Sequence, residues 1–278
     1  MKIRFALSVG TGPPDAAALA SVCRLAESRG FDTLWFSDVP TLPLTDPLVG
    51  VAFAAGVTER VHLGVNLIPF GSTPYLVAHR LAQLDRLSGG RLLVTLVPGL
   101  DPPYPGRMVD EVIPELRALW SGGLPVPPVQ DPLEIWLGGS GPKAVERAGR
   151  LADGWLGSLV SPRRAGQVRA GIQEAAAAAG RTVDPEHFGL SIGYARDAAG
   201  VEAAARSRLR ALRSRRPDLD PGVDPSDLVP VGADALRRLI GELAGEGLSK
   251  FVVRPVGPVA DWDEELAWLA GTLLDLQT

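Results

Sequence analysis

The sequence predicts an α/β protein folded as a (β/α)8 barrel. Three observations carry that expectation. Apolar, strand-like runs and helix-periodic segments alternate eight times along the 278 residues. Several of the runs are apolar throughout, as parallel strands covered on both faces must be. The length suits one barrel occupying residues 1–278 as a single domain, whereas a doubly wound sheet more often uses six strands and leaves the last two units unexplained.

The elements follow in order. Residues 3–9 form an apolar first strand, and Asp15 then caps a helix that buries Leu19, Val22, Cys23 and Ala26 and ends at Gly30. Residues 33–37 form the second strand, followed by Asp38. Asp46 and Pro47 open the second helix with a cap and a first-turn proline. Residues 61–67 form the third strand, and Thr73-Pro74 begins a helix with Val77, Leu81, Leu84 and Leu87 inward. Residues 92–97 form the fourth strand, 101–107 read as a proline-rich loop, and a helix with Leu116, Leu119 and Trp120 starts near Pro114. The fifth strand covers 133–137 and the sixth 154–160, with an alanine-rich helix over 162–179. Phe188, Leu190, Ile192 and Tyr194 alternate with small residues at a period of two, which makes the seventh strand. A basic helix over 198–216, with its arginines on a solvated face, and a proline- and aspartate-rich connection over 217–230 come next. A helix over 233–244, an eighth strand over 250–254 and a closing helix over 262–276, burying Leu266, Leu269 and Leu273, complete the chain.

Composition removes several function classes. A hydrophobic content of 46% against 22% charged residues is the balance of a globular chain. A net charge of -4 gives no footing for nucleic acid. The lone Cys23 cannot form an intrachain disulfide and lies in a helical apolar pattern, which suits a core role and a reducing cytoplasm. No apolar run is long enough for a membrane span, and residues 1–5 lack the core of a signal peptide. His62, His79 and His187 are far apart and sit at strand starts or inside a helix, so no metal site is expected.

In a barrel the working residues follow the C-terminal ends of the strands. There the sequence offers Ser8, Asp38, Asn66, Asp101, the loop Gly138-Gly139-Ser140-Gly141-Pro142, Ser158, Tyr194 and Arg254. The glycine loop joins a strand to a helix, so its amides and the helix dipole favour an anion, typically phosphate, and a plain tight turn explains it equally well. Asp38 also reads as a loop cap, Asn66 as a pairer of backbone groups, and Tyr194 and Trp136 as packing. Acid–base groups are sparse, and no nucleophile elbow is present. Such a rim suits a protein that holds a cofactor and leaves the chemistry to it.

With those residues placed, the chain resembles the bacterial luciferase-like monooxygenase family, flavin-dependent monooxygenases and oxidoreductases that use the deazaflavin coenzyme F420. The runs that carry the resemblance are 26–38, 58–64, 84–91, 140–144, 152–155 and 251–255, in that order and over nearly the whole chain. It implies coenzyme F420, with FMN as the alternative, held at the barrel mouth and acting on a small organic substrate. Asp38 matches the family's polar residue after the second strand and is the candidate catalytic group. Asn66 and Leu67 match the strand end where relatives often bulge and carry a non-proline cis peptide behind the ring. Gly138, Gly139, Ser140, Gly141 and Pro142 match the segment that helps to hold the cofactor's phosphate. Relatives are often homodimers. Two departures stand out. Val39 replaces a histidine that acts in proton transfer in many deazaflavin-dependent members. The insertion that covers the site in many relatives is trimmed to about residues 122–132, which implies an uncovered mouth. A second reading follows from these departures: a catalytically degenerate barrel that serves as a binding or accessory protein.

Overall fold

The structure, a computed structural model, describes residues 1–9, 15–38, 45–69, 72–97, 107–198 and 228–278. Strands and helices alternate as β1 (Arg4–Ser8), α1 (Ala16–Arg29), β2 (Thr33–Ser37), α2 (Pro47–Val57), β3 (His62–Leu67), α3 (Pro74–Leu87), β4 (Leu92–Leu96) and α4 (Arg107–Ala118). The second half runs β5 (Ile135–Leu137), α5 (Pro142–Leu151), β6 (Gly154–Ser158), α6 (Pro162–Ala178), β7 (Phe188–Tyr194), α7 (Ala233–Gly245), β8 (Lys250–Pro255) and α8 (Trp262–Leu273). All eight strands pair in parallel, and β8 closes on β1.

Local chemistry explains most boundaries. The Asp15 carboxylate accepts from Ala18 N at the start of α1, and Gly30 ends that helix at φ 93°, where a Cβ would be strained. Asp46 accepts from Leu48 N and Val49 N, and Thr73 from Leu76 N, each with proline in the first turn. Asp261 does the same for α8.

Four expectations need correction or fall outside view. The fourth helix begins at Arg107, not near Pro114, which lies inside it. Proline removes one backbone bond there, but Val109, Ile113 and Leu116 fall on one face and are fully buried, and that burial outweighs the lost bond. Leu87 is 67% exposed, because it closes α3 beyond the buried stripe. Segment 122–132 is not a shortened cover for the mouth. Val129 N and Gln130 N donate to Asp85 Oδ2 at 2.7 and 2.9 Å, and Gln130 Nε2 donates to Leu92 O at 2.8 Å. Asp85 is in the last turn of α3 and Leu92 begins β4, so this segment belongs to the opposite end of the barrel. The basic helix expected over 198–216 and most of the connection over 217–230 lie outside the described residues.

Strand register decides which side chains share a level. One step round the barrel and one residue upward, repeated eight times, runs through Trp35, Val65, Thr95, Leu137, Leu156, Leu190, Val252 and Leu7 and returns to Trp35. Alternate members face inward. Ala6, Trp35, Trp136, Leu156 and Val252 form an inner cluster with Leu93, separate from the large core shared with the helices. One level is therefore Trp35, Thr95, Leu156 and Val252, with Ala6, Gly64, Trp136 and Gly189 beneath it. The two indoles lie over glycines: a Cβ on Gly64 would stand 2.2 Å from Trp35, and one on Gly154 would stand 2.4 Å from Trp136. Large and absent side chains thus fill the lower barrel together.

Candidate functional site

Above the Trp35 level the interior changes character. The next level is Ser8, Asn66, Gly138 and Ser191, and the one above it is Ser37, Val97, Ser158 and Arg254. Seven of these eight positions carry small or short side chains, and most are polar. Among the described residues the bulky apolar filling stops at Trp35 and Leu156, and shorter side chains follow towards the end where the strands finish.

Asp38 and Asn66 meet at the rim. Asp38 N donates to Asn66 O at 2.8 Å, and Asn66 Nδ2 donates to Ser37 Oγ at 3.0 Å. The Asp38 carboxyl is held above the usual carboxylate range, chiefly because burial disfavours its charge, with the Asp46 carboxylate adding to the effect and a backbone hydrogen bond from Ile68 opposing it. The β3 end is regular: Asn66 and Leu67 pair with Thr95 and Leu96, and the cis peptide bond among the described residues is Asp131–Pro132. Ladder pairing continues through Asn66 and Leu67, and no non-proline cis peptide falls among the described residues at this strand end; Phe70 and Gly71 lie outside them. Leu67 turns its side chain into the outer core, so only its backbone faces the site.

The glycine loop lies across the barrel, after β5. Gly139 has φ 100°, and a Cβ there would come within 2.9 Å of the Ala144 methyl. Trp155 Nε1 donates to Gly139 O at 2.7 Å, and Arg164 Nη2 donates to Ser140 O at 2.8 Å. Gly141 caps α5 with no side-chain hydrogen bond, and Pro142 occupies the first turn. The cap residue therefore supplies no side-chain acceptor to the positive end of the helix. Arg164 is a cation that sequence reading missed. It comes from the first turn of α6, and the pairing of β5 with β6 brings it beside Ser140.

Thr95 and Trp35 were also missed. Both are 1% exposed, and Thr95 Oγ1, Trp35 Nε1 and Asn66 Oδ1 are buried atoms without a hydrogen-bonding partner. A lone threonine among apolar neighbours in 92–97 was the available signal. Other candidates settle elsewhere. Tyr194 faces outward and donates to the buried Glu265, and Trp136 Nε1 donates to Glu134 Oε2 at 3.2 Å, so both are packing residues. Arg254 faces the upper barrel, its Nη2 3.6 Å from where a Cβ on Gly193 would sit. Asp101 and Val39 lie outside the described residues. Cys23 is fully buried with its thiol pushed up to about 12 by burial, which leaves it inert. Among the described residues no group of three His, Cys, Asp or Glu could hold a metal ion, and no helix is long and apolar enough to cross a membrane.

A closed barrel of eight parallel strands with a glycine loop after β5 at its C-terminal end defines a (β/α)8 protein. The chain belongs to the luciferase-like monooxygenase family, whose sequence profile matches residues 1–247. It is 30% identical over 217 residues to a Mycobacterium tuberculosis protein named as a candidate coenzyme F420-dependent oxidoreductase, a match covering 64% of this chain and 61% of that one. The matched stretch is thus under two thirds of that relative's length. It is 25% identical over 258 residues to the 5,10-methylenetetrahydromethanopterin reductase of Methanolobus tindarius, covering 82% of this chain and 78% of that one. Its fold matches an F420-dependent secondary alcohol dehydrogenase, solved with an F420–acetone adduct, with a TM-score of 0.82, 19% identity and full coverage of both chains.

Proposed function

We propose that this single-domain barrel is a cytoplasmic oxidoreductase that binds coenzyme F420, with FMN as the alternative ring, and acts on a small organic substrate. The observation that supports the reading is the upper interior, where seven of the eight inward positions above the Trp35 level carry short side chains. The residues fit the group. A planar heterocycle needs that emptied interior, and its phosphate needs amides and positive potential, which the loop 138–142 and the α5 start supply with Arg164 beside them. Bound there, F420 supplies a hydride at C5 and FMN supplies oxygen activation at C4a. The chain's own residues bind, orient and tune. Asn66 and the backbone of Leu67 would flank such a ring. Asp38, whose amide donates to Asn66 O and whose pKa is raised by burial, would hold or pass a proton at the rim.

A second reading keeps the binding and drops the turnover, because Val39 cannot carry a proton. One experiment separates the two. Purified protein is titrated with F420 and FMN, following ring absorbance and fluorescence. Micromolar binding of either ring with turnover of a redox partner supports the oxidoreductase, binding without turnover supports the accessory protein, and no binding of either ring sinks both.

The same family resemblance supports a homodimer, and the outer face of α2 supports it independently. Its sequence from Pro47 to Val57 has no polar side chain, yet Val49 is 61% exposed, and Tyr75 and Leu76 on neighbouring α3 are also exposed. An all-apolar helix is ordinarily a covered one. Light scattering on wild type and Val49→Glu tests this: a dimer that becomes a monomer on substitution supports it, and a monomeric wild type refutes it.

A further inference from the structure

Nine of the described glycines have a positive φ, and Leu159, at φ 56°, is the one other described residue that does. In that conformation a side chain crowds its own backbone, whereas glycine adopts it freely. A turn that needed only the backbone shape would be served by glycine, as it is at the other nine positions. At residue 159 the chain keeps the strain together with the leucine, so the side chain itself has a task.

That task is not core packing. Leu159 follows Ser158, the last residue of β6, which points into the barrel. Strand alternation would send residue 159 outward into the core beneath the helices, as it sends Leu67 after Asn66. The left-handed turn breaks the alternation. Val160 takes the core position at 2% exposure, while Leu159 stays half-buried and joins neither apolar cluster of described residues. Val97, the apolar member of the level that holds Ser158, is likewise half-buried and outside both clusters. Leu159 thus stands at the C-terminal end of the barrel, where (β/α)8 proteins place their working residues, and strained backbone gathers at such sites.

Resting on the oxidoreductase reading above, we infer that Leu159 is a specificity-determining residue whose side chain packs against the alkyl part of the substrate. The substrate class is a small aliphatic molecule with a neutral hydrocarbon portion, not a sugar or a polyanion. Each methylene such a molecule buries against the leucine raises its affinity by up to about fourfold.

The test reads a slope, not a single affinity. Protein loaded with whichever of F420 and FMN binds is titrated with straight-chain alkanols from ethanol to pentanol, following ring absorbance. Affinity is expected to rise about three- to fourfold per methylene in the wild type. Leu159→Gly is expected to cut that rise to below about twofold, and Leu159→Met, which keeps an apolar side chain, to retain it. Glycine also relieves the strain and opens no core cavity, so Leu159→Gly is expected to melt within about 2 °C of the wild type. A wild type without chain-length dependence overturns the inference, as does an unchanged slope in Leu159→Gly. A larger fall in its melting temperature overturns it too, because Leu159 would then be a packing residue. In each of these cases the cofactor reading survives. If neither F420 nor FMN binds, the cofactor reading itself has failed and takes this inference with it.

Discussion

Replacing Gly139 with alanine puts a methyl group at a constrained point of the loop at 138–142. The residue sits at φ 100°, which costs an L-residue about 1–2 kcal/mol. The added Cβ would also stand 2.9 Å from the Ala144 methyl in the first turn of α5, so either the loop or the helix start must shift. Together these predict a loss of about 2–3 kcal/mol. For 278 residues the unfolding entropy near Tm is about 0.6 kcal/mol/K, so Tm falls by about 4–5 °C. Gly141 is the internal control. Its φ is −73°, and Gly141→Ser adds a better cap worth a few tenths of a kcal/mol, shifting Tm by less than about 1 °C upward. Differential scanning calorimetry measures both. Binding gives the functional half: Gly139→Ala weakens FMN about tenfold or more but leaves riboflavin, which lacks the phosphate, within about twofold. A Tm within 1 °C of wild type would refute the backbone argument. Equal weakening of FMN and riboflavin would refute the assignment of the loop to the phosphate.

Three further substitutions probe the scaffold and the rim. Asp38→Asn removes a charge that burial disfavours; the ionised form is penalised above the raised folded pKa and not below the unfolded one, so the variant is more thermally stable than wild type at neutral pH, and the gain disappears as pH falls below about 4, read by Tm against pH. A variant less stable at pH 7 would count against the burial account. Burial acts on Glu27 in the same upward direction, but donation from Glu59 N, Arg60 N and Val61 N outweighs it and holds the carboxyl below its usual range. Its contribution is therefore present above the unfolded pKa and lost as pH falls, so Glu27→Gln costs about 1 kcal/mol or less at pH 7, and the gap from wild type narrows in acid; a gap that widens in acid would contradict the sign. Tyr194→Phe leaves the buried Glu265 without its phenol donor and with Arg196 at 3.5 Å, and is expected to cost about 1–3 kcal/mol in denaturant unfolding without changing ring affinity. Altered ring affinity would place Tyr194 in the site after all.

What the sequence alone determined is local. Asp15 and Gly30 bracket α1, Asp46-Pro47 opens α2, and 138–142 turns β5 into α5, because each signal acts within a few residues of itself. Eight alternations of period sufficed for the barrel, since covered parallel strands have few other arrangements. Proline at 114 misled, because a local preference was outweighed by the burial of Val109, Ile113 and Leu116. The placement of 122–132 misled for a related reason: its anchor, Asp85, belongs to another helix. Only the tertiary structure decided which side chains share the upper interior. Whether Thr95 joins Trp35 or Asn66 joins Ser8 on one level depends on the stagger between strands, which hydrogen bonds spread over the whole barrel set together. No single strand contains that stagger, so which side chains share a level is decided only when neighbouring strands pair.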